Sequence, residues 1–311
     1  MLRWLILPFL MLIGMQQVMA ADDSATLKAL RKDLSSGSLE PVILRQSLAP
    51  LPDPVLQQWL ADVPVSRFAI TGFNENDQRF AARVRLHFAD GGFTYVRIEG
   101  KPGPDYALTE WHDYASGLRL SELVALAPWF REKEGRAFLA LLSRAPDSDE
   151  LGKYVAQHPA AAALWLAQCS GQSCEQQATS HQPESSGPTL WAWRQVFAQG
   201  ERQTAKALQQ ALENALGDDP YFWLMTGHYA LDSQHCDWVA TELQSAALRH
   251  HLAILSDVAL QCYLAGSGAT QGGTEFLDAL SEQLGRSLVE AAIQRHYHLQ
   301  ALPVPDKLQS W

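Results

Sequence analysis

The chain has 311 residues, with 24 Lys and Arg against 34 Asp and Glu, a formal net charge of −10 and an apolar fraction of 47%. This length fits two domains of ordinary size, and the apolar fraction excludes a wholly disordered chain. The negative charge argues against a general nucleic-acid-binding protein, which would carry a basic surface, so no nucleic-acid partner is expected.

The first twenty residues have the composition of a secretory signal peptide. Arg3 is the one charged side chain of this segment, an apolar run from Trp4 to Met15 follows, and small residues precede a cut near Ala20. The run is shorter than the roughly twenty residues of a membrane-spanning helix, and no later segment is long and apolar enough to span. The sequence therefore predicts export to the periplasm or beyond, with residues 1–20 removed. An anchor that is not cleaved is the alternative.

The chain then begins with two predicted helices. Ser24 is placed as the N-cap of an apolar pattern that ends at Leu34. Asp53 and Pro54 are placed in the same way before a pattern that ends at Leu60, since proline suits the first turn of a helix.

After Pro64 the apolar period changes to two, which is typical of strands. Phe80–Phe88 has one apolar and one largely polar face, and Phe93–Ile98 and Tyr106–Tyr114 follow it after glycine-containing turns. Leu118–Leu126 has a helical pattern. The order of helices, a three- or four-stranded antiparallel meander and a helix predicts an α+β domain.

A resemblance to a known family lies in this region. The hairpin Ala82–Ile98, the strand end Trp111–Tyr114 and the following Ala115–Ser121 resemble the final strands of a nuclear transport factor two-like domain. Such domains are cone-shaped, with a curved sheet wrapped around long N-terminal helices. The resemblance covers about residues 66–125 and implies a cone-like α+β domain over residues 21–130. In some exported bacterial proteins a similar domain precedes a helical-repeat region.

From Arg131 onward the helical period replaces the alternation. We expect a polar loop or hinge at Ser170–Pro188 and a tail without a period at Pro303–Trp311, and glycines separate several of the helices. The predicted helices are Gly135–Ser143, Glu150–Gln157, Pro159–Gln168, Thr189–Ala198, Glu201–Leu216, Pro220–Leu231, Trp238–Leu248, Leu252–Ala265, Thr274–Leu284 and Ser287–Leu299.

These helices resemble a second family. Trp191, Trp223 and Leu255 recur every 32 residues in successive first helices, close to the period of about 34 residues of a tetratricopeptide repeat. Trp223 and Gly227 match the first-helix positions of that repeat, and Leu255 and Ala259 match them one unit later. The resemblance implies an all-α, tetratricopeptide-like array of helical hairpins over residues 131–311.

The four cysteines of an exported chain are candidates for disulfide bonds, because oxidising compartments let such bonds persist. Four cysteines allow three complete connectivities. We favour Cys169 with Cys174, which flank a short polar loop, and Cys236 with Cys262, which lie in or beside two predicted helices. A zinc site that uses these cysteines is the alternative, without a C-x2-C pair to favour it.

One histidine is a weak catalytic candidate. The sequence contains no nucleophile, phosphate-loop, dinucleotide or metal-ligand motif, so no cofactor or metal is expected. Strand alternation places His112 on the same face as Tyr106 and Leu108. We expect its side chain inside the cone, near Tyr95 and Tyr114. A neutral histidine beside a tyrosine can act as a general base. A rim histidine bonded to a loop is the alternative.

The tryptophans are candidates for partner binding, because Trp and Tyr are enriched where proteins bind one another. Trp191, Trp193, Trp223 and Trp238 fall in the helical half, and packing in a core is the alternative for each. Residues two apart on a helix point about 200° apart, so Trp191 and Trp193 are not expected to face one core.

These patterns lead to an expected function. Residues 131–311 carry 12 basic and 20 acidic side chains, and helical arrays provide extended binding surfaces. We expect an exported binding or scaffold protein, without a cofactor, whose partner is a protein or peptide of the cell envelope. A small-molecule-binding protein or enzyme built on the cone and a purely structural role in an envelope assembly are the alternatives.

Overall fold

The fold combines one antiparallel sheet with many helices. The signal peptide Met1–Ala20 and the helix expected from Pro54 lie outside the described residues, as does most of the turn after Phe88. The computed structural model describes residues 24–45, 65–89, 92–169, 172–181, 187–266 and 273–309.

The four strands form a meander in which each strand is antiparallel to the next, in the order β1-β2-β3-β4. In the register Val84 lies opposite Val96, and Ile98 lies opposite Trp111. The predicted antiparallel meander and the α+β class are confirmed. The strands are β1 (Val65–Glu75), β2 (Phe80–Phe88), β3 (Phe93–Lys101) and β4 (Ala107–Asp113).

A bulge interrupts the pairing of β3 with β4. Gly100 lies opposite Leu108, but Glu99 lies opposite Glu110, so Thr109 is an extra residue in β4. Glycine is needed here because a side chain on Gly100 would collide with the carbonyl of the facing strand.

The bulge makes the predicted alternation of β4 wrong. Tyr106, Leu108 and Trp111 all pack in the same core, whereas Tyr114 lies in the other core and the His112 ring contacts it at a tilt. An extra residue reverses the faces of everything that follows it, so His112 does not share the face of Tyr106 and Leu108.

Fifteen α-helices flank the sheet in the described ranges. Ser24 caps the first one as predicted, since its Oγ accepts a hydrogen bond from the Leu27 amide at 3.1 Å. The helices are α1 (Ala25–Leu34), α2 (Glu40–Ile43), α3 (Leu120–Arg131), α4 (Lys133–Arg144), α5 (Leu151–Val155), α6 (Ala161–Leu166), α7 (Gln172–Ser180), α8 (Leu190–Ala198), α9 (Arg202–Leu216), α10 (Pro220–Asp232), α11 (Ala240–His250), α12 (Ala253–Ala265), α13 (Glu275–Leu284), α14 (Arg286–Leu299) and α15 (Asp306–Gln309).

Two segments expected to lack regular structure contain helices. The predicted loop Ser170–Pro188 includes α7, in which Cys174 and Ala178 are buried four residues apart on one face. The C-terminal tail includes α15, which buries Leu308. The apolar face of each helix has only one or two residues, too few to produce a visible period.

Two hydrophobic cores lie on opposite faces of the sheet. The first is formed by α1 to α7 with one sheet face, and the second by α8 to α15 with Tyr95 and Tyr114 of the other face. At the second core, the Leu190 amide at the start of α8 donates a hydrogen bond to the Tyr114 carbonyl at 2.8 Å, which joins the helix to the end of the sheet. The sheet is therefore the wall shared by both cores. The domain division near residue 130 stays a prediction, and side chains on both sides of it, Phe130 and Phe138, lie in the first core.

No helix in the described part of the chain is long and apolar enough to cross a membrane.

Candidate functional site

The polar face of β2 is buried against the helical half. Arg85 is only 9% exposed and His87 only 6%, although charged side chains seldom lie in an interior without a partner. Their partners come from β3 and from the start of α10. We call this set the interface cluster: Arg85, His87, Tyr95, Asp219 and Tyr221.

Asp219 lies at the centre of the interface cluster. It is the N-cap of α10, and its Oδ1 accepts a hydrogen bond from the Tyr221 amide at 2.8 Å. The same oxygen accepts from the Tyr95 hydroxyl at 2.8 Å, and Nη1 of Arg85 lies 2.5 Å from both carboxylate oxygens. One carboxylate therefore ties two strands to a helix N-terminus, where negative charge is favourable.

Arg85 also holds the histidine of the cluster. Its Nε donates to Nε2 of His87 at 3.0 Å, and its guanidinium lies 3.8 Å from the centre of the Tyr221 ring. The acceptor role of Nε2 requires a neutral imidazole with its proton on Nδ1. Burial, together with Arg67 and Arg85, lowers the pKa of His87 to about 4.

The interface cluster also affects its tyrosine. Burial and the Asp219 carboxylate raise the pKa of Tyr95 well above its usual range, so the hydroxyl remains a hydrogen-bond donor. The cluster as a whole is a hydrogen-bonded polar contact between the sheet and the helical half.

His112, the catalytic candidate, is 7% exposed and lies under the helical half. Its ring is centred 4.4 Å from that of Tyr114, and Tyr95 occupies the same core. Burial and the charges of Arg119 and Arg97 lower the pKa of His112 to about 4. The structure thus places His112 against Tyr114 and in the core that contains Tyr95, in the neutral state and beneath the helical half.

Three buried polar atoms near His112 have no hydrogen-bond partner among the described residues. They are Nε2 of His112, Nε of Arg119 and Oε2 of Glu122. An isolated antiparallel β-bridge pairs Arg119 with His112, and Glu122 lies three residues later, in the first turn of α3. Burial raises the pKa of Glu122. The Arg119 charge acts on both His112 and Glu122, and buried polar groups without a partner are costly.

The four candidate tryptophans separate into two pairs. Trp193 and Trp223 are buried in the second core. Trp191 is half-buried and packs against the first core, so it diverges from Trp193 as their spacing predicts. Trp238 is half-buried at the edge of the second core. Of the four tryptophans, Trp191 and Trp238 are therefore the two with exposed side-chain area that a partner could contact.

Trp191 belongs to a row of half-buried side chains on α8 and α10. The Arg194 guanidinium lies 5.0 Å from the Trp191 ring and 5.1 Å from the Tyr229 ring. The row continues beyond α10, where His235 stacks on Trp238 with ring centres 4.0 Å apart. We call these five residues the aromatic strip.

The aromatic strip lies on a rigid base of buried rings. The Trp193 ring is centred 5.5 Å from Tyr229 and 5.0 Å from Phe197, and Phe197 lies 5.2 Å from Trp238. Sequence reasoning missed Arg194, Tyr229 and His235. The signal available for Arg194 was its position three residues after Trp191, which places both on one helical face.

The four cysteines form the two favoured disulfides. Cys169 bonds to Cys174 with Cα atoms 5.7 Å apart, and Cys236 bonds to Cys262 with Cα atoms 5.1 Å apart. Neither pair leaves a thiolate for the alternative zinc site. No group of three or more His, Cys, Asp or Glu side chains in the described ranges is placed to hold a metal ion.

No family model, no curated protein and no solved structure matches this chain. The resemblances to nuclear transport factor two-like domains and to tetratricopeptide repeats therefore stay predictions from sequence patterns.

Proposed function

We propose that this chain is an exported, periplasmic binding or scaffold protein that holds a protein or peptide of the cell envelope through its helical half. The observation that carries the proposal is the aromatic strip. Interfaces are enriched in Trp, Tyr and Arg, and the residues that dominate binding are rigid aromatic side chains supported from below. Tyr229 and Trp238, which contact the buried rings of Trp193 and Phe197, have this character, and Trp191 packs against the first core beside them.

The packing of the helices supports a tetratricopeptide-like array. α8 packs on α9, α10 packs on both α11 and α12, and α13 packs on α14. Contacts between neighbours and next neighbours in the chain are typical of stacked helical hairpins. Trp223 and Leu255, one period apart, are both buried, in α10 and α12.

The charge of this half favours a basic partner. Residues 131–311 carry 12 basic and 20 acidic side chains, so their field attracts positive charge at low salt. We therefore expect the partner to carry a net positive charge around the residues that contact the aromatic strip.

Export is supported by two features that are independent of the strip. The N-terminal segment has the pattern of a signal peptide, and both cysteine pairs are oxidised. Disulfides persist in the periplasm and outside the cell and are rare in the cytosol. Mass spectrometry of the exported protein should show cleavage near Ala20.

Capture from an envelope extract of the source cell tests partner binding. We expect the complete mature protein to retain one specific partner, and the double variant Trp191→Ala/Trp238→Ala to retain at least tenfold less, since hot-spot aromatics contribute about 2 kcal/mol or more each. Leu288→Ala is the matched control, because this apolar side chain is 64% exposed on α14, away from the strip.

The capture experiment separates the alternatives. Equal retention by wild type and the double variant would place the partner elsewhere and reject the strip. No retained protein under any condition would reject the binding function itself. Loss of binding above 0.5 M salt, with recovery on dilution, would support a basic partner.

A second candidate function is the binding of a small polar molecule at His112, either as a receptor or as an enzyme. The unpaired atoms of His112, Arg119 and Glu122 favour it, since a ligand with both a donor and an acceptor would satisfy them. Native mass spectrometry of protein purified from its source tests this candidate. A bound small molecule that is absent from His112→Ala would support it, and a wild-type mass equal to that of the polypeptide would reject it.

A further inference from the structure

We propose that the contact between the sheet and α10 is an acid-sensitive latch, which opens when His87 takes up a proton. The latch consists of the interface cluster, and it is independent of whether a partner binds to the aromatic strip. The latch makes the contact between the helical half and the sheet depend on pH.

The hydrogen bonds of the cluster explain why a single proton is enough. Nε2 of His87 accepts the Nε–H of Arg85 at 3.0 Å. A proton on Nε2 turns this acceptor into a donor, so two donors and two positive charges then face each other at that distance. Arg85 has to move away, and Arg85 is the side chain whose Nη1 holds both carboxylate oxygens of Asp219.

Among the described residues no carboxylate is hydrogen-bonded to the His87 ring, and burial, Arg67 and Arg85 lower its pKa more than the nearby Asp219 raises it. Arg67 of β1 lies opposite His87 in the register. Arg85 lies two residues before His87 on the same face of β2, so two cations flank the ring. From α10, Asp219 faces the cluster but bonds to Arg85, Tyr95 and its own helix, and Tyr221 packs edge-on against the imidazole. From β3, Phe93 contributes an uncharged ring centred 5.8 Å away.

The direction of the pH effect follows from the two states. In the closed latch His87 is neutral, with a pKa of about 4, whereas a released imidazole has its ordinary pKa near 6.5. The open state therefore binds more protons between these values, and the closed state is progressively lost as the pH falls through this window. Above about pH 6.5 the full stability of the latch is present.

Opening would change two surfaces at once. The Tyr95 ring, which is 1% exposed in the closed state, and the face of β2 that carries Arg85 and His87 would become exposed to water. The Asp219 carboxylate, which caps α10, would lose its hydrogen bonds to the sheet. The Tyr221 amide lies in this turn, so its protection reports whether the turn stays packed against the sheet.

Amide hydrogen exchange of the complete mature protein tests the latch. After correction for intrinsic exchange, we expect the protection of the Tyr221 amide to fall on the order of tenfold between pH 7 and pH 5. In His87→Gln the side-chain carbonyl can still accept from Arg85 but does not titrate, so the fall in protection should be several times smaller than in the wild type. His112, whose pKa burial also lowers to about 4, accounts for the remainder. His298→Gln is the matched control: it removes an exposed histidine of α14 and should keep the wild-type response.

Two results would overturn the latch. One is a wild-type protection factor that does not change with pH, or that changes equally in His87→Gln. The other, which needs no variant, is an NMR titration of the His87 ring in the wild-type protein with a midpoint above pH 6. A midpoint below pH 5, with loss of Tyr221 protection, supports the latch even if His87→Gln does not fold.

Discussion

Replacing Asp219 by alanine should lower the free energy of unfolding by about 3–5 kcal/mol, the cost of leaving a buried charge without its partner. Arg85 would remain 9% exposed with no carboxylate beside it, and Tyr95 would lose the acceptor of its hydroxyl. The first turn of α10 would also lose its cap. Urea denaturation at pH 7, followed by circular dichroism, measures the difference.

Tyr95→Phe is the matched control for Asp219→Ala. It removes one hydrogen bond of the same carboxylate and keeps the charge pair with Arg85, so the expected loss is about 1 kcal/mol. If Asp219→Ala costs no more than Tyr95→Phe, the cluster does not hold the sheet to the helical half in the way the distances indicate.

Replacing Cys236 and Cys262 by alanine should destabilise the chain by about 3 kcal/mol, because the bond restricts a loop of intermediate length in the unfolded state. The two residues are 26 positions apart, and they connect the turn after α10 to α12. Trp238 of the aromatic strip lies two residues after Cys236 in the same short 3-10 helix, so its position depends on this bond. Thermal unfolding of the oxidised proteins gives the comparison.

The other disulfide is the internal control for this prediction. Cys169 and Cys174 are only five positions apart, so their replacement by alanine should cost about 2 kcal/mol, less than the longer loop. An equal or larger loss for the short loop would show that loop closure does not govern the effect here.

The strands could be predicted because their alternation is local. Phe80–Phe88 was predicted with the same bounds that the structure gives β2. The bulge at Thr109 was missed, since an extra residue in a strand has no composition of its own. Gly100 was the available signal, because glycine within a strand often marks a bulge or a close approach.

The burial of the polar face of β2 could not be read from its own sequence. Arg85 is covered by a residue 134 positions later, and nothing local distinguishes it from a solvated arginine. Asp219 before Pro220 was readable as the start of a helix, but not as the partner of a particular strand. The interface cluster is therefore a property of the tertiary fold.

The aromatic strip was partly predictable. Helical geometry correctly separated Trp191 from Trp193, because side chains two apart diverge. The same geometry does not reveal which tryptophan remains at the surface, and the contributions of Tyr229 and His235 come from α10 and the turn after it. Such a strip becomes visible only when the elements are assembled.

Site-specific photo-cross-linking in the source cell tests partner binding by the aromatic strip most directly. A photoreactive benzoylphenylalanine in place of Trp238 lies at the edge of the strip, and the same residue in place of Leu288 lies on exposed α14 as a control. We expect a single cross-linked envelope protein from position 238 and none from position 288. Cross-linking from position 288 alone, or from neither position, would contradict partner binding by the strip.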